Sequence, residues 1–463
     1  SVKNDGKSIG LLIEKYIGKL GRKLFLLFCW LFTLLVIAAF ADMVAGTFNA
    51  FTTVDGQVQL SEAARPNGAA GTISLLFILF AMVFGVLQKK FNLSGWKATV
   101  VGLICTVAAL GIGMALPITA GKDTWTYITF VYIFFAAVLP IWLLKQPRDM
   151  MTTYMFIGMI VGAVLGLLVA HPTMNLPVYT GFTNEKLGNM FPILFVTVAC
   201  GAISGFHSLV SSGTTSKQLD KETDAKPIAY GGMLLECVLA VLTLCAIGYA
   251  YKWNAVHPDQ ALKGTTAIFG GGIAHMIDDI IPGSYSILNS LLVLTYSAFC
   301  LTSLDTATRL ARFMFQEFWL EPGETAADIK EGWKKVMVNP YFATILTVVL
   351  GILLGMNGYG KIWGLFGAAN QLLAGIGLLA VATWLGNMGK NNKMFLIPMA
   401  FMIVVTITSL ALTVKNQIGM IAAGGADWGP WAQTILGILL IFLAIILVIE
   451  GVQTLSRQKA AKA

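Results

Sequence analysis

FPILFVTVACGAISGFHSLVSSGTTSKQL (Phe191–Leu219) begins as an apolar helix and ends as a segment that hydrocarbon does not accept. Ile193, Leu194, Phe195, Val196 and Val198 suit a membrane span. Then come Gly201, Ser204, Gly205, His207, Ser208, Ser211, Ser212, Gly213, Thr214 and Thr215. Polar side chains and flexible backbone at membrane depth are tolerated only where they are buried in protein or line a cavity. A helix broken in this way is one means by which transporters build a substrate site. The rest of the chain decides whether this stretch lies in a membrane.

The 463 residues are 57% hydrophobic and 12% charged, with a mean hydropathy of +0.76. A soluble domain carries about 25% charged residues. The fold class predicted is all-α, a polytopic membrane helix bundle of about 12 transmembrane helices. The spans fall near 24–49, 69–87, 98–116, 124–144, 151–170, 190–211, 228–250, 285–304, 340–356, 362–385, 394–414 and 431–450. Residues 1–450 read as one transmembrane domain and 451–463 as a short basic cytoplasmic tail.

The basic residues test this count. Of the 31 Lys and Arg, only Arg65, Lys122, Lys186, Lys252, Lys263, Lys361 and Lys415 fall in alternate gaps. The other gaps are rich, as in Lys15, Lys19, Arg22 and Lys23, or Arg309, Arg312, Lys330, Lys334 and Lys335, ending with Arg457, Lys459 and Lys462. Such alternation predicts an even number of spans with both ends cytoplasmic. The net charge of +8 is then topological, and no nucleic acid is implied as a partner. The lipid bilayer is. No P-loop is present, which disfavours an ATP-driven pump. All six cysteines lie within spans without metal-ligand spacing and read as packing residues; no cofactor or metal is predicted.

Residues 8–23 read as an amphipathic interfacial helix, with Ile9, Leu12, Ile13, Tyr16, Ile17 and Leu20 on one face. Residues 251–284 are Gly-rich and apolar, either a re-entrant lid with a short helix around Ile273–Ile280 or a surface loop. A second short helix is predicted from Thr325 to Val336. Gly158, Gly162 and Gly166 form a small-residue stripe suited to close helix packing. Pro147-Arg148-Asp149 reads as a turn in which Asp149 caps the next span.

Ionisable residues inside spans are costly and point to function. Counting about 1.5 Å of rise per residue places His207 and Glu236 in the same half of the membrane, with Asp305 in the same layer. His207 changes charge near neutral pH and suits proton coupling; the alternative is a neutral histidine donating a structural hydrogen bond. Glu236 reads as a proton carrier whose carboxyl burial would favour the neutral form, or as a partner of a basic neighbour. Thr302, Ser303, Asp305 and Thr306 form a hydroxyl- and carboxylate-rich turn. It suits Na⁺ or proton relay, or interhelical hydrogen bonds with an Asp305–Arg309 pair. Asn370 and Gln371 sit in an apolar span, so they either join helices or contact a polar substrate. Gly201, Ser204, Gly205, His207, Ser208, Ser211, Ser212, Thr214, Asn370 and Gln371 are the candidate substrate residues. No catalytic constellation stands out, and an enzyme is not predicted.

Four segments carry a family resemblance: LPIWLLKQPRDMMTTYMFIGMIVG (139–162), FPILFVTVACGAISGFHSLVSSGTTSKQLDKETDA (191–225), LTSLDTATRLARFMFQ (301–316) and WGLFGAANQLLA (363–374). With them the chain resembles the carbon starvation protein A family, the peptide and pyruvate transporter group. The resemblance implies a bacterial inner-membrane secondary transporter that imports peptides during carbon starvation, coupled to an ion gradient, H⁺ or Na⁺. The alternatives are a pyruvate or small-carboxylate proton symporter and a non-transporting membrane nutrient sensor. It also implies a fold similar to the amino acid–polyamine–cation superfamily, with broken helices, a partner break before Ser1, and a cation site at Thr302 and Ser303. Family members usually begin with about three further spans, so the chain is expected to be partial.

Overall fold

Long apolar runs set the architecture, and turn residues divide them. The computed structural model describes all residues except 55–56, 62, 174–175, 185–187, 357, 425–426 and 461–463, and the side chains of Val54 and Tyr359. Of the residues used in the charge reading, Lys186 and Lys462 lie outside the described set. Helix α1 (Ile9–Tyr16) leads into α2 (Lys19–Phe48). Strands β1 (Phe51–Val54) and β2 (Gln57–Leu60) pair antiparallel, with Phe51 opposite Leu60. Then follow α3 (Ala64–Phe91), α4 (Gly95–Ala115), α5 (Lys122–Val138) and α6 (Lys145–Ala170). A short pair, β3 (Thr183–Asn184) and β4 (Gly188–Asn189), precedes a wide turn at Met190–Leu194, α7 (Phe195–Ala199) and α8 (Gly205–Gly213). The remainder is α9 (Ala225–Val256), α10 (Gly272–Asp278), α11 (Tyr285–Trp319), α12 (Trp333–Met337), α13 (Pro340–Gly355), α14 (Tyr359–Asn387), α15 (Lys393–Ala422) and α16 (Trp428–Ala460).

Among the described residues nine helices are long and apolar enough to cross a bilayer: α2, α3, α4, α6, α9, α11, α14, α15 and α16. Met190–Ala199 and α13 are shorter apolar helices. Every predicted span has a helical counterpart, the sixth interrupted, so the helical membrane bundle is as the sequence predicts. The protein is a multi-pass membrane protein. Large side chains such as Val107, Leu168, Ile397 and Ile435 are exposed, as a lipid-facing surface requires. Several buried hydroxyls in the bundle are satisfied within their own helices. Thr72, Thr106, Thr344 and Thr406 each donate to the carbonyl four residues earlier.

Several local expectations are corrected. The amphipathic helix of residues 8–23 is split: Ser8 caps α1 by accepting from the Leu11 N–H, and Gly18 at φ +128° ends it before α2. The 325–336 helix shrinks to α12, because Gly332 adopts φ 82°, and Thr325 instead turns against Asp328. Asp149 does not cap α6, which begins four residues earlier; it pairs with Lys145 at 3.1 Å. In the glycine stripe only Gly166 is in close contact, a Cβ there lying 2.7 Å from Ile277, whereas Gly158 and Gly162 face open space. Helix α11 continues past the expected end at 304 to Trp319, since residues 305–319 contain neither Gly nor Pro.

The chain divides into two compact units whose boundaries fall inside α2, α9 and α11 and, between Thr180 and Gly181, in the connection after α6. One comprises Ser1–Ala39, Gly181–Glu236 and Thr306–Ala463. Its core includes Leu379, Met399 and Ile403, with α14 packed on α15 and α16. The other comprises Phe40–Thr180 and Cys237–Asp305. There Ala163, Leu242, Ala246, Ile273, Ala274 and Leu292 form a cluster. The Gly-rich segment after α9 thus folds inward as α10, with Ile273, Ala274 and Met276 buried against α6.

Candidate substrate site at an interrupted helix

The break expected in Phe191–Leu219 lies between α7 and α8, in the first unit. Helix α7 ends as turn backbone at Cys200–Ala202, and Ser204 is extended at φ −100°, ψ 127°. An interruption frees backbone groups that must find partners in an apolar setting. Two neighbouring amides of α14 supply them. Asn370, 1% exposed, accepts from the Phe206 N–H at 2.8 Å and donates to Ser204 Oγ at 3.1 Å; its Nδ2 also faces Cys200 Sγ at 3.6 Å. Gln371, fully buried, accepts from the Cys200 N–H at 2.8 Å and donates to the Ile203 carbonyl, in the amide orientation that satisfies both. Of the two readings of Asn370 and Gln371, the structure favours joining. Gly205 completes the seam: a Cβ there would strike the Asn370 carbonyl and the Ala374 N–H.

Below the break lies a cavity of about 500 Å³, walled by α1, α8, the start of α9 and α14. Four predicted residues line it: Ser204, Ser208, Ser211 and Ser212. The last three spend their hydroxyl protons on their own helix. Ser208 Oγ donates to the Gly205 carbonyl at 2.6 Å, and Ser211 and Ser212 to the Ser208 carbonyl at 3.1 and 2.9 Å. Their remaining capacity is lone pairs. These serines therefore offer acceptors, within apolar walls of Leu12, Ile13, Ala374 and Leu378, while Lys3 and Trp384 on the same wall are donors. The serine face complements a ligand that carries N–H donors.

His207 and Glu236, which the depth count sets in one half of the membrane, come together with Nε2 3.7 Å from Oε2. They are 61% and 36% exposed and are not part of the cavity wall, so the burial expected of a proton carrier at Glu236 is not present. Gly201 lies in the turn and Thr214 is buried just past α8.

Thr302, Ser303 and Asp305 belong to the second unit and Thr306 to the first. Asp305, 2% exposed, lies well inside α11 and is held by Arg148, 1% exposed, and by Tyr132, whose hydroxyl donates to Oδ2 at 2.5 Å. Arg148 also donates to the Tyr132 hydroxyl and faces its ring. The charge of Asp305 is thus answered from α6. Sequence reading placed Arg148 in a turn and missed this triad. The signal available was Pro147, a residue favoured in the first turn of a helix, which moves Arg148 from the loop into α6. An aromatic column in the same unit was also missed. His275 stacks between Trp253 at 3.7 Å and Tyr285 at 4.0 Å, and Trp253 stacks on His257.

The family model for carbon starvation protein CstA matches residues 1–267 and 255–409. Peptide transporter CstA of Bacillus subtilis (strain 168) is 30% identical over 464 residues, covering 90% of this chain and 76% of the relative. Peptide transporter CstA of Escherichia coli (strain K12) is 29% identical, covering 91% of this chain and 68% of the relative. Pyruvate/proton symporter BtsT of the same organism is 27% identical, covering 89% and 67%. The named relatives are transporters, not enzymes.

Proposed function

The chain belongs to the carbon starvation protein CstA family, and from that premise we propose that this membrane transporter is a secondary carrier. It imports small peptides across the bacterial plasma membrane when carbon is scarce, and an ion gradient, most simply of protons, drives it. The observation that carries this reading is the acceptor-lined cavity of about 500 Å³ beneath the break. Its volume lies within the roughly 300–1,000 Å³ of small-molecule sites. Peptide N–H groups and an α-ammonium are donors, and Ser208, Ser211 and Ser212 face them with lone pairs. A keto acid carries no such donors at neutral pH, so the serine face suits peptides better than pyruvate, whose carboxylate would turn to Lys3.

Coupling is assigned to the His207–Glu236 pair. Protonation of an imidazole converts its contact with a carboxylate into a charge pair. Asp305 suits the role less well, because an incoming cation there competes with Arg148. With the basic gaps inside, both ends of the chain face the cytoplasm.

The test is uptake of a labelled dipeptide into proteoliposomes, with proton or sodium gradients imposed separately. Accumulation under a proton gradient alone is the expected result, and His207→Ala should uncouple it. Saturable binding without accumulation under any gradient would replace the carrier by a nutrient sensor. Accumulation of pyruvate but not dipeptide would move the substrate to that of the symporter relative.

A further inference from the structure

A second cavity, of about 520 Å³, lies in the same unit and shares Ser212 on α8 with the first. Its chemistry differs. Arg312 lines it while only 7% exposed. Among the described residues no carboxylate lies within salt-bridge distance of Arg312, and its Nε has no hydrogen-bond partner. Among the described residues it touches the Phe313 ring, 4.4 Å away, and Arg309, one turn earlier on α11, adds a like charge near it. Lys217, just past α8, stands over the same ring at 5.9 Å and lines the same cavity.

The acid on this wall is already engaged. Glu317 accepts from Ser8 Oγ at 2.8 Å and lies 3.8 Å from Arg22 Nε. Arg22 in turn pairs with Glu14 at 2.9 Å and donates to the Glu317 and Leu320 carbonyls. A buried guanidinium without an anion is costly and is rare unless paired. Its planar fork of donors matches an oxyanion in bidentate fashion.

We propose that this second cavity is an anion site that takes a small monocarboxylate, with Arg312 as the bidentate ligand and Lys217 as a supporting charge. The single charge follows from the wall. Two cations face the ligand, and the Glu317 carboxylate beside them opposes a second negative charge. Apolar Phe313 and Leu310 accept the ligand's carbon skeleton. The site does not depend on whether the carrier reading holds, since binding is measured without transport.

The experiment is calorimetric titration of the full chain in zwitterionic nanodiscs with propionate, succinate and inorganic phosphate in turn. Propionate should bind best, and Arg312→Gln should weaken it by about tenfold or more. Arg312→Lys should fall between, and Lys217→Gln should cost less than Arg312→Gln. In the absence of anion, Arg312→Gln should unfold at the same temperature as the parent or higher, because it removes an unpaired buried charge. A structural role for Arg312 would lower that temperature and overturn the proposal. Unchanged propionate binding in Arg312→Gln, or preference for phosphate or succinate, would also overturn it. So would loss of propionate binding in phosphatidylglycerol nanodiscs, which would make a lipid headgroup the occupant.

Discussion

Replacing Arg148 or Asp305 singly should harm the protein far more than replacing both. The two side chains are 1% and 2% exposed and are joined to Tyr132, all in one unit. Removing one partner strands the other's charge in a low-dielectric site, a change that costs about 3–5 kcal/mol for buried pairs. Arg148→Met leaves a carboxylate bonded to the Tyr132 hydroxyl, with Lys145 as a further cation acting on it. Asp305→Leu leaves a guanidinium facing Tyr132. If the two losses were independent, the double variant would be destabilised by roughly 6–10 kcal/mol. Because the charges answer each other, Arg148→Met with Asp305→Leu should instead lie within about 2 kcal/mol of the parent, as apolar replacements of buried pairs often do. The assay is reversible unfolding in mixed micelles, followed by tryptophan fluorescence, with all four proteins in one cycle. Additive losses would refute the reasoning and would show that each residue is held by groups other than its partner.

Three further outcomes follow from the geometry. Asn370→Ala removes the acceptor for the half-buried Phe206 N–H and the partner of Ser204, so it should destabilise by about 1–3 kcal/mol; Gly205→Ala, which drives a Cβ into α14 backbone, should be at least as harmful in the same unfolding assay. Gly166→Ala should destabilise while Gly158→Ala and Gly162→Ala should not, because only the first meets a neighbour; equal effects would restore the packing stripe. His275 lies outside the spanning helices, and burial between Trp253 and Tyr285, helped by nearby His257, holds its pKa below the usual histidine value of 6.5, against the opposing pull of Asp278 and Asp279. The docked segment therefore favours neutral histidine, and its stability is lost as pH falls below 6.5. Hydrogen exchange of residues 267–284, corrected for intrinsic rates, should quicken at pH about 5.5 relative to about 7.5, and His275→Phe should remove the difference.

The helices were legible because membrane burial leaves a crude record, a run of apolar residues of sufficient length. The break was legible for the opposite reason, since Gly and Ser cluster where hydrocarbon forbids them. Asn370 and Gln371 stood out as buried amides, but sequence left their role open between substrate contact and helix joining. That question is set by which backbone groups the break frees, a three-dimensional matter. Counting rise along two helices of opposite direction placed His207 and Glu236 at one depth, but not side by side. Arg148 escaped because a basic residue beside a proline near a helix end reads as topology. The aromatic column around His275 joins α9, α10 and α11, and no spacing within one segment encodes it. The glycine stripe misled because spacing gives a face but not what the face meets.

The seam between α8 and α14 also bears on how the first cavity opens. Asn370 and Gln371 together satisfy the Cys200 and Phe206 N–H groups and the Ile203 carbonyl. Pulling α8 from α14 would strand these groups, at about 1–3 kcal/mol for each one left buried. Gly205 adds backbone-to-backbone contact, and Gly377 lets Ser208 lie close against the same helix. The break is accordingly an elbow fixed to α14, and α8 moves only with it. The opposite wall, α1, is eight residues long and ends at Gly18. It is tied down at its ends, by Ser8 to Glu317 and by Glu14 to Arg22. Apolar packing adds to these ties: Ile13 is 1% exposed, and a Cβ at Gly10 would strike Leu26 and Glu317. Both walls of the cavity are thus anchored, α8 by the amide seam and α1 by its end ties and the buried Ile13.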